Sequence, residues 1–180
     1  TICFKIHKQF LFLPSMRKTL CIFIFVSILN TLQAQNKAVF LNQSSQWADS
    51  VIATLSKEER IAQLFMVAAY SNRDELHKQK IIDLVTHYKI GGVMFLQGGP
   101  VRQANFTNYL QEHAKVPLMI AIDAEWGVAM RLDSAMRFPW QMSLGAIEDT
   151  NLIYDMGVEV ARQCKLLGIH INFAPVVDVN

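Results

Sequence analysis

Ile90-Gly91-Gly92-Val93-Met94-Phe95-Leu96 is an apolar run of strand length. It leads through Gly98-Gly99-Pro100 into Phe106, Tyr109, Leu110 and His113 at helical spacing, and then into a second run, Val116-Pro117-Leu118-Met119-Ile120-Ala121-Ile122. Apolar runs that are continuous rather than alternating suit strands buried on both faces, and strands joined through a single helix lie parallel.

The same unit recurs on either side. Upstream, Leu64 to Ala69 is a further candidate for a strand buried on both faces, followed by Ile81, Leu84, Val85 and Tyr88 on one helix face. Downstream, Ile153, Met156, Gly157, Val160, Ala161 and Cys164 line a helix, Gly168 stands where a left-handed cap glycine belongs, and Ile169 to Val179 is strand-like. Before the first strand, Ser45 to Leu55 predicts a helix with Trp47, Val51, Ile52 and Leu55 on one side, and Ser56-Lys57-Glu58-Glu59 has the spacing of a capping box. Four strands alternating with helices define a parallel α/β fold. Open sheet and closed barrel both fit, and no G-x-G-x-x-G or G-x-x-x-x-G-K-[ST] fingerprint follows any strand.

Composition narrows the function classes. The chain is 180 residues long, 52% hydrophobic and 18% charged, with a formal net charge of +2. Lys5, Lys8, Arg17 and Lys18 all precede residue 35, where there is no acidic residue; the remainder carries 13 basic residues against 15 acidic ones. That slightly acidic body offers no footprint for nucleic acid or for an anionic membrane. Met16-Arg17-Lys18, the apolar run Leu20 to Leu29 and the closing Leu32-Gln33-Ala34 form the three parts of a secretory signal peptide, 16–34, with cleavage near Ala34/Gln35. The run is short of the ~20 residues a membrane-spanning helix needs. Residues 1–15 are a candidate untranslated read-through, and 35–180 the mature segment. Export to the periplasm or beyond is expected, with no membrane partner after cleavage. Only Cys164 follows position 34, so the mature segment has no internal disulfide framework.

Chemistry in parallel α/β barrels is built at the strand C-termini. Asp123 ends the third strand and Asp178 lies near the end of the fourth. A carboxylate emerging from an apolar strand is costly unless it is hydrogen-bonded or meets a polar ligand; capping the following loop or pairing with a basic neighbour is the alternative. Glu125 and Arg131 follow Asp123 on one loop, and the rigid fork of Arg131 suits a sugar or a carboxylate. His77, His87, His113 and His170 have no metal-ligand spacing and read as surface or helix-face residues, so no metal or other cofactor is expected.

Five motifs occur in order: Lys57-Glu58-Glu59-Arg60-Ile61-Ala62-Gln63-Leu64-Phe65-Met66-Val67; Ile90-Gly91-Gly92-Val93; Ile120-Ala121-Ile122-Asp123-Ala124-Glu125; Phe138-Pro139 with Leu144-Gly145-Ala146; and Asn172-Phe173-Ala174-Pro175-Val176-Val177-Asp178-Val179-Asn180. Together they resemble the N-terminal barrel domain of glycoside hydrolase family 3, over essentially the whole chain after Ser56. The resemblance leans toward the β-N-acetylglucosaminidase branch, whose third strand typically ends Ile-Asp-Gln-Glu-Gly-Gly; the departures are Ala124, Trp126 and Val128. It implies the first half of a (β/α)8 TIM-type barrel, a retaining β-N-acetylhexosaminidase activity, and a glycan containing N-acetylglucosamine as partner. It also implies that Asp123 accepts hydroxyls of the sugar at the cleavage subsite and that Arg131 helps hold that sugar; Asp178, from its place near the end of the fourth strand, is a candidate for pocket support.

Retaining glycosidases need two carboxyl groups about 5 to 5.5 Å apart. In this family the acid/base follows a Lys-His-Phe-Pro-Gly-His-Gly segment and the nucleophile comes later. The chain contains no such segment, so both are expected beyond Asn180 and the 35–180 segment alone is expected to be inactive. Such barrels take ~250 residues, and the chain reads as the N-terminal part of a longer protein. A β-glucosidase of the same family, a carbohydrate-binding barrel without catalysis, and an unrelated α/β barrel remain the alternatives on sequence alone.

Overall fold

A computed structural model describes residues 43–177. The signal peptide, the cleavage point, residues 1–15 and Asp178 lie outside the described residues. The chain divides into two compact units, Thr1–Gln46 and Trp47–Asn180, and the sheet belongs wholly to the second.

Four parallel strands run in the order β1-β2-β3-β4: β1 Met66–Tyr70, β2 Gly92–Gln97, β3 Met119–Ile122 and β4 Ile171–Asn172. Helices α1 Gln46–Ala53 and α2 Lys57–Ala62 precede β1. Helix α3 Glu75–Thr86 joins β1 to β2 and α4 Pro100–His113 joins β2 to β3; the short α5 Gln141–Leu144 and the long α6 Thr150–Leu166 join β3 to β4. These are the four strands alternating with helices that the sequence predicts, three βα rounds followed by a fourth strand.

Register decides which side chains meet the helices. Val67, Val93 and Ile120 are in register on one face, as are Ala69, Phe95 and Ile122. That face is packed by Ile81 and Val85 of α3 and by Phe106 and Leu110 of α4, with Cys164 of α6 joining the same cluster. Phe95 and Phe106 meet edge to face at 6.2 Å between ring centroids. On the opposite face Ala68 is exposed, Met94 is half-buried and Ala121 is buried. On that face burial rises from β1 to β3.

The helix ends follow their caps. Ser56 and Glu59 form the reciprocal box at the start of α2, with Glu59 N–H donating to Ser56 Oγ at 3.1 Å and Ser56 N–H to Glu59 Oε2 at 3.0 Å. The Lys115 ammonium also donates to Glu59 Oε2 at 2.8 Å, and this hydrogen bond, more than the Ser56 one, lowers the pKa of Glu59. Gly168, at φ 66°, ends α6 as a left-handed glycine. Burial raises the pKa of the Cys164 thiol, which fits a core-filling residue.

Three expectations are corrected. Leu64 and Phe65 are not in a buried strand: they form the turn before β1, 85% and 59% exposed. The first helix is shorter than Ser45 to Leu55: α1 ends at Ala53, and Leu55, which is buried, lies just past it. Among the described residues the fourth strand is two residues long, Ile171–Asn172, rather than beginning at Ile169 and running on past Phe173, because its partner β3 ends at Ile122.

Candidate functional site at the strand C-termini

Residues 123–133 leave β3 and fold back over the ends of the neighbouring strands. Toward β2, Gly98 N–H donates to the Arg131 carbonyl at 3.1 Å and Asp133 N–H to the Gly98 carbonyl at 2.7 Å, forming a single parallel bridge between Gly98 and Leu132. Gly98 is required there: its φ is 152°, and an added Cβ would lie 1.7 Å from Ser71 Oγ. Toward β4, Ala124 N–H donates to Asn172 Oδ1 at 3.0 Å and Asn172 Nδ2 to the Ala124 carbonyl at 3.4 Å. Gln141 ties the loop to the segment after β4: its Nε2 donates to the Glu125 carbonyl at 3.1 Å, and its Oε1 accepts from Val176 N–H at 3.2 Å. Inside the loop, Ala124, Val128, Ala129 and Leu132 are buried, and Ala124, Val128 and Leu132 join the hydrophobic cluster of the sheet and its helices.

One helical turn, Val128–Met130, brings Arg131 back over Asp123. Arg131 Nε donates to the Asp123 carbonyl at 3.0 Å, and Nη2 donates to Asp123 Oδ2. The two side chains are 21% exposed for Asp123 and 26% for Arg131, half-buried yet reachable from solvent. The structure thus joins the two site residues named from sequence into one ion pair. Among the described residues Asp123 Oδ1 takes no hydrogen bond. A carboxylate beside a guanidinium presents an acceptor and a donor together, the combination that vicinal sugar hydroxyls require.

Two histidines do more than sequence reading assigned them. His77 Nε2, at the C-terminal end of β1, accepts from Tyr70 N–H at 3.1 Å, and His170 Nδ1 accepts from Ile120 N–H at 2.9 Å. Burial, and then the Arg73 charge, hold the His77 pKa below the usual imidazole value, consistent with a neutral acceptor. Nothing in the spacing of the motif that contains Asn172 foretells its contact with Ala124. Glu125 is half-buried and Trp126 lies in the same loop. A cavity of about 720 Å³ opens beside the loop, between α6 and the end of β4, lined by Glu125, Ile153, Val160, Asn172 and Pro175 among others. Its walls are mainly apolar and include neither Asp123 nor Arg131, so the rim pair is the better candidate for sugar chemistry. Among the described residues no cluster of His, Cys, Asp or Glu could hold a metal ion, and no helix is long and apolar enough to cross a membrane.

Parallel βα units in chain order, with an ion pair at the C-terminal end of β3, have the architecture of the first half of a TIM-type barrel. Residues 56–180 match the glycosyl hydrolase family 3 N terminal domain, and the chain belongs to that family. A beta-N-acetylglucosaminidase/beta-glucosidase of Cellulomonas fimi is 28% identical over 134 residues, which are 74% of this chain and 23% of that protein. A beta-hexosaminidase of Mycobacterium tuberculosis is 32% identical over 133 residues, 71% of this chain and 32% of that protein. The solved structure of a family 3 beta-N-acetylglucosaminidase from a Paenibacillus species superposes with a TM-score of 0.60 at 30% identity, covering 71% of this chain and 25% of that one. The chain therefore spans about a quarter to a third of the length of these relatives.

Proposed function

We propose that the full-length gene product is an exported, retaining β-N-acetylhexosaminidase that releases terminal β-linked N-acetylglucosamine from cell-wall or chitin-type glycans. The observation that carries this reading is the Asp123–Arg131 pair, held at the end of β3 in a family 3 domain. The branch is supported by the relatives' names, one a beta-N-acetylglucosaminidase/beta-glucosidase and the other a beta-hexosaminidase. In this reading Asp123 accepts sugar hydroxyls, Arg131 donates to the same ring and holds the carboxylate in place, and Asp178 supports the pocket. Bond cleavage belongs to a separate carboxylate pair outside this chain. In keeping with that division, the side-chain partner of Asp123 is an arginine rather than a second carboxylate at the spacing a retaining pair needs.

A β-glucosidase activity is the second reading, favoured by the double name of the Cellulomonas relative and by Trp126, which stands where the hexosaminidase branch carries glycine. The two are separated by purifying the full-length product and comparing an aryl β-N-acetylglucosaminide with the corresponding aryl β-glucoside. We expect kcat/KM on the N-acetylated substrate to be higher by at least roughly tenfold, the discrimination available from one well-made polar contact. A preference of that size for the glucoside makes the second reading the correct one.

The export component rests on the Met16 to Ala34 pattern. Sequencing the N-terminus of protein recovered from the producing cell is expected to find a start near Gln35. A mature chain that still carries Leu20 to Leu29 would overturn this part of the proposal while leaving the glycosidase reading intact.

A further inference from the structure

The backbone ladder between β3 and β4 ends with Phe173 N–H donating to the Ile122 carbonyl at 2.9 Å. Beyond that point no strand partner reaches the next peptide, and Asn172 takes over with its side chain. A primary amide has the donor and acceptor of a peptide group side by side. Asn172 uses both on one residue, Ala124, accepting from its N–H at 3.0 Å and donating to its carbonyl at 3.4 Å. The side chain thereby continues the ladder one step past its end.

Asp123 sits between these anchors. The carbonyl before it, on Ile122, is held by Phe173; the peptide after it is held at both ends, its carbonyl by Arg131 Nε at 3.0 Å and its N–H by Asn172 Oδ1. Arg131 also grips the carboxylate, so the arginine fixes the side chain and one end of the peptide while Asn172 fixes the other. Ala124 is buried, which makes an unpaired N–H there costly and the contact hard to replace with water.

We propose that Asn172 is a positioning residue for Asp123, setting the direction in which the carboxylate leaves β3 and hence its alignment with the sugar. The proposal rests on the reading of Asp123 as a sugar-binding carboxylate. An error in aim weakens contacts that tighten in the distorted transition state more than those in the ground state, so kcat falls before KM rises.

The test uses the full-length product, an aryl β-N-acetylglucosaminide, and Asn172→Leu, which has similar volume and neither polar contact. The expected result is a loss of kcat/KM of roughly three- to tenfold, the scale of one neutral hydrogen bond, carried by kcat. Asn172→Asp, which keeps an acceptor for the Ala124 N–H, is expected to retain more activity than the leucine variant. In an Asp123→Ala background the cost of Asn172→Leu should fall below about twofold, because a residue acting through Asp123 has nothing left to aim. Should the leucine variant fail to fold, Asn172→Ser, whose hydroxyl is too short to span to Ala124, takes its place with the same expected results. A lowered melting temperature with wild-type kcat/KM, or an equal loss with and without Asp123, overturns the proposal and leaves Asn172 a structural clamp. If Asp123→Ala alone leaves kcat/KM unchanged, the sugar-binding reading fails; if it lowers kcat/KM steeply while Asn172→Leu does nothing, only the positioning role fails.

Discussion

Replacing Asp123 with alanine in the full-length product is expected to lower kcat/KM by roughly a hundredfold or more while leaving the melting temperature nearly unchanged. A hydrogen bond to a charged group is worth about 1.5 to 3 kcal/mol, or about ten- to a hundredfold in rate. A carboxylate bridging two ring hydroxyls makes two of them. Stability should respond little, because the ion pair that is lost is part-exposed on both sides and such pairs contribute about 1 kcal/mol or less. The geometry also protects the interpretation. Arg131 keeps its second anchor, the Asp123 carbonyl at 3.0 Å, which alanine supplies as well as aspartate does. The guanidinium therefore stays near its place, and the measured loss belongs to the carboxylate. Asp123→Asn, retaining one oxygen without the charge, should fall between wild type and alanine. Kinetics on an aryl β-N-acetylglucosaminide alongside a melting curve decide the question. Wild-type kinetics with a melting temperature lowered by several degrees would reduce Asp123 to a loop anchor.

The pairing of Asp123 with Arg131 shows what could be read from sequence and what could not. That Asp123 would stand on the rim followed from the apolar run Ile120-Ala121-Ile122, whose strand character is a local property, and from the rule that barrels place chemistry at strand ends. That Arg131 would close back onto it depends on one helical turn and on the bridge from Leu132 to Gly98, a contact between residues 34 positions apart in the chain. No periodicity encodes such a contact. The same division explains Asn172, whose partner is 48 residues away. It also explains β1: apolar character marks Leu64 and Phe65 as strand-like, but whether an apolar run is paired or turned outward is decided by its neighbours in the sheet. The helices were legible where one face meets the core, as with Ile81 and Val85 of α3. They were less so in α6, whose stripe at Ile153, Met156 and Val160 is only half-buried.

Gly91→Ala is expected to destabilise the domain by about 3 to 5 kcal/mol, enough to lower its melting temperature by on the order of 10 °C. Gly91 precedes β2 where the chain passes against the end of α2, and an added Cβ would lie 2.0 Å from the Gln63 carbonyl oxygen and 2.7 Å from the carbon it is bonded to. Both are backbone atoms, so no side-chain rotation relieves the clash. Nor can either segment retreat freely. Gly91 N–H donates to the carbonyls of Ala62 at 3.2 Å and Phe65 at 3.1 Å, its own carbonyl accepts from Met119 N–H at 2.9 Å, and Gln63 Nε2 donates to the Lys89 carbonyl at 2.6 Å. Separating the segments breaks some of these bonds at about 0.5 to 1.5 kcal/mol each, added to the overpacking itself. Gly157 provides the control. It lies inside α6 with nothing within 4 Å of an added Cβ, so Gly157→Ala should stabilise the helix by roughly 0.5 to 1 kcal/mol, the ordinary gain from replacing a helical glycine. Thermal melts of the two variants of the full-length product are therefore expected to move in opposite directions. A Gly91→Ala protein that melts with the wild type would mean that the backbone of Gln63, just past the end of α2, does not pass against the start of β2.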